Sequence, residues 1–255
     1  MRILDACAAP GKTSQLAEKY PDAEIWAFEP QKIRFEKMCY NLEKLGIKIQ
    51  NISKSTSEEK EEAQQKSKGI VYCVHDSVEN IGKYIETMSS MNTENPNFLE
   101  DSSSKTRDSE RSEREYFDMI LVDAPCSGEG ALLYNNTKFL ENWSMEHIHK
   151  NYARQKRICD NALPYLKTEF IYCTCTIAPE ENEAVIHYLL CKYKNLELEK
   201  LDIQKNKYIS IEKLKQFGKY IFRKEIPEKT LRIIPNEFAE GFYIAKMKKE
   251  DDTTV

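Results

Sequence analysis

At 255 residues, 40% hydrophobic and 10% aromatic, the chain can bury one sizeable core, and nothing in its composition forces a second domain. A net charge of -4 supplies no global basic field to draw in nucleic acid, and the lack of a signal peptide or long apolar span points to a soluble, intracellular protein. The eight cysteines show no CxxC pair and no regular spacing, which indicates a reducing compartment; no second pair stands at ligand spacing from Cys173 and Cys175, so no metal is expected.

Residues 2–6 read as a first strand that begins almost at the first methionine, which keeps open a fragment or a partner-dependent protein. Cys7, Ala8, Ala9, Pro10, Gly11 and Lys12 form a turn of small residues into a helix over 13–19. Such a turn lets the backbone approach a ligand, and the helix start offers N–H groups; an ordinary strand-to-helix turn is the plain alternative. Residues 25–29 form a second strand ending in Glu29, about 20 residues past the turn, the spacing at which a carboxylate binds a ribose hydroxyl in nucleotide-binding βαβ units. Residues 31–45 read as an amphipathic helix with Ile33, Met38, Leu42 and Leu45 on its packing face, ended by Gly46. The run 53–68 is rich in Ser, Glu, Lys and Gln and reads as a mobile insertion. A strand over 69–76 ends at Asp76, which can simply start the turn at Ser77. A second polar insertion covers 88–115.

Residues 117–130, FDMILVDAPCSGEG, read as a buried strand of a parallel sheet that stops at Asp123 and presents Cys126 just beyond. Ligands of open α/β sheets bind at that edge, although a turn-capping aspartate beside an inert cysteine explains this stretch equally well. Residues 131–142 are expected to loop over the site. Ser144 caps a helix running to about residue 166, with His147 in the capping-box place. His147, His149 and His187 are expected on helix surfaces. Basic stretches over 147–157 and from Lys205 to Arg232 could track a phosphate backbone, a solvated helix face being the plainer reading of each. Residues 169–176, EFIYCTCT, form another apolar run that ends around Cys175, before a helix starting near Glu180. Last strands are expected at 196–203, 231–235 and 242–247, with an antiparallel hairpin at one sheet edge among them, before a frayed tail from residue 250.

The segments LDACAAPGKT (4–13), DAPCSGEG (123–130) and YCTCTIAPEENE (172–183) occur in this order, with RIIP (232–235), GFYIAK (241–246) and a glutamine, Gln155, ahead of the second cysteine strand. Together they resemble the Sun family of RNA cytosine-5 methyltransferases, the group related to nucleolar proliferation antigens and bacterial rRNA methylases. The resemblance implies a Rossmann-like class I methyltransferase, an α/β fold with a seven-stranded, mostly parallel sheet flanked by helices, as one domain over 1–255. It implies S-adenosylmethionine as cofactor, held by Cys7, Ala8, Ala9, Pro10, Gly11, Lys12, Glu29, Asp76 near the adenine, and Asp123. It also implies Cys175 as the nucleophile that adds to C6 of cytosine, Cys126 as the thiol that helps break the adduct, and Asp123 at the cytosine edge. Cytosine C5 becomes nucleophilic only after such an addition, and a duplex buries C6, so the implied partner is rRNA or tRNA with an accessible or flipped cytosine, in the cytoplasm or the nucleus and nucleolus.

DNA cytosine-5 methyltransferases use the cysteine after proline and a downstream Glu-Asn-Val, a tripeptide that does not occur here. Two departures stand out. The family's usual N-terminal RNA-binding segment is not in this sequence, so a missing segment or partner is expected, and the turn has one residue fewer between Pro10 and Lys12. A noncatalytic RNA-binding or ribosome-assembly protein that keeps the fold is therefore the alternative, against which both cysteines argue. An NAD-dependent enzyme comes third, because the turn lacks GxGxxG.

Overall fold

The computed structural model describes residues 1–52, 69–85, 88, 117–131, 143–201 and 208–250, which fall into two compact units, Met1–Asp118 with Asn161–Lys167, and Met119–Asp160 with Thr168–Val255. The expected insertions, apart from a buried Met88, lie outside the described residues, as do the loop over 132–142, positions 202–203, Lys205, Lys207 and the tail from 251.

In the first unit, β1 (Arg2–Asp5), β2 (Glu24–Phe28), β3 (Lys48–Asn51) and β4 (Ile70–Val74) form a parallel sheet in the order β3-β4-β2-β1. β2 and β4 read as near-continuous apolar runs, as strands covered on both faces do. Trp26 is fully buried and stacks on Tyr72 with ring centroids 4.5 Å apart. β3, with the sequence KIQN, has no buried residue and escaped the sequence reading. Between the strands run α1 (Pro10–Lys19) and α2 (Lys32–Lys44). α1 starts three residues before the expected position because Pro10, lacking an N–H, suits a first helical turn.

α2 corrects the expected packing face. Phe35, Met38 and Leu42 are buried at helical spacing, whereas Ile33 and Leu45 are 68% and 65% exposed. Two residues along a helix turn the side chain through about 200°, so Ile33 cannot share the face of Phe35. The helix ends as expected: Gly46 adopts φ +73°, its N–H donates to the Glu43 carbonyl at 2.9 Å, and the Ile47 N–H donates to Leu42 at 3.0 Å.

The second unit takes in β5 (Phe117–Asp123) from Met119 on, α3 (Met145–Ala162) as far as Asp160, β6 (Leu166–Thr174) from Thr168 on, and α4 (Glu183–Lys192), β7 (Leu196–Glu199), β8 (Ser210–Glu212), β9 (Gln216–Phe217), β10 (Tyr220–Ile221), α5 (Glu225–Lys229), β11 (Leu231–Ile234) and β12 (Phe242–Lys249). The strand order is β5-β6-β12-β11-β8, β7 also pairs with β12, and β9 and β10 form a small hairpin of their own. Every strand expected from the sequence is present; β3, β8 and the β9–β10 hairpin are additional. The expected antiparallel hairpin is formed by β11 and β12, but not at an edge, since β12 pairs antiparallel with β6 and β8 flanks β11.

Pro164 ends the long helix early, with a 3-10 turn at Leu163–Tyr165 and β6 beginning at Leu166. α4 begins at Glu183 rather than near Glu180, because Pro179 accepts from the N–H groups of Asn182 and Ala184 in a preceding turn. Ser144 accepts from the His147 N–H at 3.1 Å, the expected cap, whereas the His147 ring meets Asn151 at 3.2 Å instead of closing a capping box. His147 and His149 are exposed; His187 is half-buried, and its Nδ1 has no hydrogen-bond partner among the described residues.

Candidate active site

In the first unit, three parallel strands end together, with Asp5 opposite Ala27 and Phe28 opposite Val74. The residues just past those ends are the ones singled out for the cofactor. The Ala8 N–H donates to the Phe28 carbonyl at 2.9 Å, and the Glu29 N–H to Val74 at 3.1 Å, so backbone bonds tie the ends together. Ala9 has extended backbone and no side-chain cap at the start of α1. Thr13 pins the first turn of α1 to β1 through its hydroxyl, 2.7 Å from the Asp5 carboxylate and 2.9 Å from the Ala9 carbonyl. Gly11 is exposed, and a Cβ there would meet nothing within 4 Å, so the turn is open to a ligand.

Glu29 is 2% exposed and accepts from the Gln31 N–H at 2.6 Å and from Arg34 at 3.1 Å, one donor to each oxygen. A carboxylate oxygen has two lone pairs, so both retain capacity for a pair of ribose hydroxyls. The open turn, the helix start and this carboxylate fit a nucleoside cofactor. Asp76 is engaged by its own turn, accepting from the Ser77 N–H at 2.7 Å, Asn80 at 2.8 Å and the Tyr84 hydroxyl at 3.0 Å. Burial works against its charge, but these donors prevail and hold the carboxyl below its ordinary range.

The second unit brings together the residues singled out for chemistry. β5 ends at Asp123, and the Ala124 N–H donates to the Cys173 carbonyl at 2.8 Å, holding the strand end on β6. The Cys173 thiol approaches the Asp123 carboxylate at 3.5 Å. Past the two ends, the sulfurs of Cys126 and Cys175 lie 3.3 Å apart, far beyond a disulfide bond, with Cys175 exposed and Cys126 half-buried. The neighbouring Cys175 sulfur and then burial push the Cys126 thiol far up, so it keeps its proton at neutral pH.

Backbone holds the two loops close. The Gly130 N–H donates to the Cys175 carbonyl at 3.0 Å, and the Gly241 N–H to Gly130 at 2.9 Å. A Cβ on Gly130 would lie 2.2 Å from the Gly241 oxygen and 2.7 Å from that of Cys175, so only glycine permits the approach. Gln155 is fully buried and donates to the Pro125 carbonyl at 3.0 Å, next to Cys126. Sequence reasoning passed over Ser127, Thr176 and Glu181, all buried. The available signal was a hydroxyl residue directly after each cysteine; that it faces inward is not visible in a linear pattern. Among the described residues, no group of three or more His, Cys, Asp or Glu could hold a metal ion, and no helix is long and apolar enough to cross a membrane.

The pattern of the 16S rRNA methyltransferase RsmB/F family matches residues 1–68 and 62–248. Ribosomal RNA small subunit methyltransferase F of Vibrio cholerae serotype O1 is 33% identical over 138 residues, 53% of this chain and 26% of that protein. The tRNA (cytosine(49)-C(5))-methyltransferase of Pyrococcus abyssi is 35% identical over 137 residues, 52% of this chain and 42% of that one. Among solved structures, a methyltransferase homolog protein from Pyrococcus horikoshii superposes with a TM-score of 0.63 at 26% identity, over 97% of this chain and 61% of that one. NSun6 from Pyrococcus horikoshii, solved with SFG, superposes with a TM-score of 0.60 at 23% identity, over 99% of this chain and 48% of that one. The chain thus spans less than two thirds of each of these relatives. The Rossmann-like methyltransferase fold, a mixed α/β architecture with a mostly parallel sheet and flanking helices, is that of these structures. Matched along nearly its whole length, the chain belongs to the 16S rRNA methyltransferase RsmB/F family.

Proposed function

We propose that the chain transfers a methyl group from S-adenosylmethionine to C5 of a cytosine in rRNA or tRNA, through a covalent bond between Cys175 and C6. The observation that carries this reading is the pair of reduced sulfurs 3.3 Å apart, one exposed and one sheltered, past the ends of two adjacent strands. Two thiols in unequal surroundings suit two different tasks. Cys175, exposed, is the one an incoming base can reach, and its addition to C6 turns C5 into an enamine carbon able to take a methyl group. Cys126, half-buried, is less open to the incoming base and is available when the adduct is broken.

Asp123 ends β5 on the same side and is assigned to the N3 and N4 edge of the cytosine. The base must be unstacked to reach Cys175, so the substrate is single-stranded, looped or flipped RNA. S-adenosylmethionine would be held by the turn Cys7, Ala8, Ala9, Pro10, Gly11 and Lys12 together with Glu29, Asp76 and Asp123, and supplies an electrophilic methyl when bound. The names of the Vibrio and Pyrococcus relatives support rRNA or tRNA as the substrate class. The turn with one residue fewer between Pro10 and Lys12 favours a second reading, a noncatalytic RNA-binding or ribosome-assembly protein that keeps this fold.

Transfer of labelled methyl groups to RNA tests the assignment. Cys175→Ala is expected to abolish transfer, and Cys126→Ala to accumulate a protein–RNA adduct that survives denaturing electrophoresis. An active Cys175→Ala protein would overturn the nucleophile assignment. A folded wild-type chain that binds RNA but no S-adenosylmethionine by calorimetry would establish the second reading.

A further inference from the structure

Each of the two close cysteines is followed by a buried hydroxyl side chain, Ser127 at 9% and Thr176 at 1% exposure. The two hydroxyls, each one residue past a cysteine, meet across the loops at 2.8 Å. Ser127 also donates through its hydroxyl to Glu181 at 2.6 Å, and its N–H lies 3.0 and 3.2 Å from the two oxygens of that carboxylate. Glu181 is fully buried, in the turn ahead of α4. We propose that Ser127, Thr176 and Glu181 form a clasp that sets the separation of the two thiols, which makes all three positioning residues for the reaction.

The hydrogen-bond directions follow from counting protons. A hydroxyl has one proton to give, and the 2.6 Å contact has the length of an O–H···O⁻ bond, so Ser127 spends its proton on Glu181. Thr176 then donates to Ser127, at 2.8 Å the closer of its two acceptors, the Glu129 carboxylate lying 3.4 Å away. Thr176 in turn accepts from the Ala178 N–H at 3.2 Å, and its carbonyl accepts from Asn182 at 2.9 Å, so the donor is itself held in place. A line of bonds therefore runs from the loop of Cys175, through both hydroxyls, to a carboxylate anchored ahead of α4, and crosses between the loops one residue past each cysteine. Apolar side chains would fill the same volume without burying a carboxylate, whose protonation range burial raises here. What the polar group adds is a fixed geometry.

The proposal rests on the reading of Cys126 and Cys175 as working thiols, and a readout that needs no methyl transfer separates the two. Diamide, a diazene, takes one hydrogen from each thiol and becomes a hydrazine while an S–S bond forms. Sulfurs held 3.3 Å apart are expected to react within one chain, and peptide mapping identifies the Cys126–Cys175 bridge. Thr176→Val keeps the shape and removes the donor, whereas Thr176→Ser keeps the donor. The valine variant is expected to form the bridge roughly 10-fold more slowly, and to lower kcat for methyl transfer roughly 10- to 100-fold at unchanged affinity for S-adenosylmethionine, with serine restoring both. Ser127→Ala, which breaks the same line from the other side, is expected to behave like the valine variant and serves if that variant does not fold. Bridge formation at the wild-type rate in the folded valine or alanine variant would overturn the clasp. A wild-type chain that bridges rapidly, slows on substitution and transfers no methyl group would leave the clasp standing and remove the enzymatic reading.

Discussion

Arg232 is 6% exposed and donates to both oxygens of Glu183, at 3.0 and 3.1 Å, to the Ile177 carbonyl, and to Glu212 at 3.2 Å. Burial pushes the Glu183 carboxyl up to about 7, and the guanidinium works against that rise. Since the folded value lies above the unfolded one, the contribution of Glu183 to stability is complete below about pH 4.5 and is lost as pH rises through about 7; the linked change is on the order of 3 kcal/mol. Arg232→Met removes the countercharge and leaves a buried carboxylate. It is expected to cost about 3–5 kcal/mol near pH 8 and markedly less near pH 5, where Glu183 takes up a proton. Urea titrations at the two pH values check this, and Glu183→Gln in the same background should remove the pH dependence. The bond to Ile177, two residues beyond Cys175, links this ion pair to the site by contact. Arg232 was visible in the sequence as part of RIIP and as one of a run of basic residues. That it is buried against a carboxylate rather than solvated depends on β11 and α4 meeting, which no local pattern expresses.

At the scale of the element, α2 shows how a periodic reading can identify a helix correctly and still rotate it. Apolar residues at 33, 35, 38, 42 and 45 admit more than one stripe, and the sheet they pack on decides which is buried. Leu42→Ala should therefore cost about 2–5 kcal/mol, as a deletion in the core does. Ile33→Lys, on the exposed side, should stay within about 0.5 kcal/mol of wild type, and chemical denaturation of both variants distinguishes the faces. The strands were legible for the opposite reason. β2, β4, β5 and β6 are short apolar runs bounded by polar or turn residues, and burial on both faces requires that composition whatever their order in the sheet. β3 and β8 have no buried residue, and edge strands of that kind carry no apolar signature to read. The ends of α3 and α4 moved for local reasons, Pro164 in one case and the turn accepted by Pro179 in the other.

For the whole molecule, the residues proposed to hold the cofactor, apart from Asp123, belong to one compact unit and the two thiols to the other. A ligand that binds only the folded state stabilises it, so S-adenosylhomocysteine at about 100 times its Kd should add about 2.7 kcal/mol and raise Tm by roughly 5–10 °C. Thermal melts with and without it check the point, and an unchanged Tm at millimolar concentration would count against the cofactor assignment. The sequence by itself determined the strand–turn–helix order, the glycine and proline turns, the family, and the candidates Cys126, Cys175, Asp123 and Glu29, because these follow from local periodicity, steric limits and ordered motifs. Tertiary structure alone decided that two cysteines 49 positions apart bring their sulfurs to 3.3 Å, that the neighbouring Ser127 and Thr176 meet, and that Glu181 is buried against Ser127. Pairing between strands distant in the chain sets those contacts, and it is the summed burial of many residues, not any short pattern, that selects the pairing.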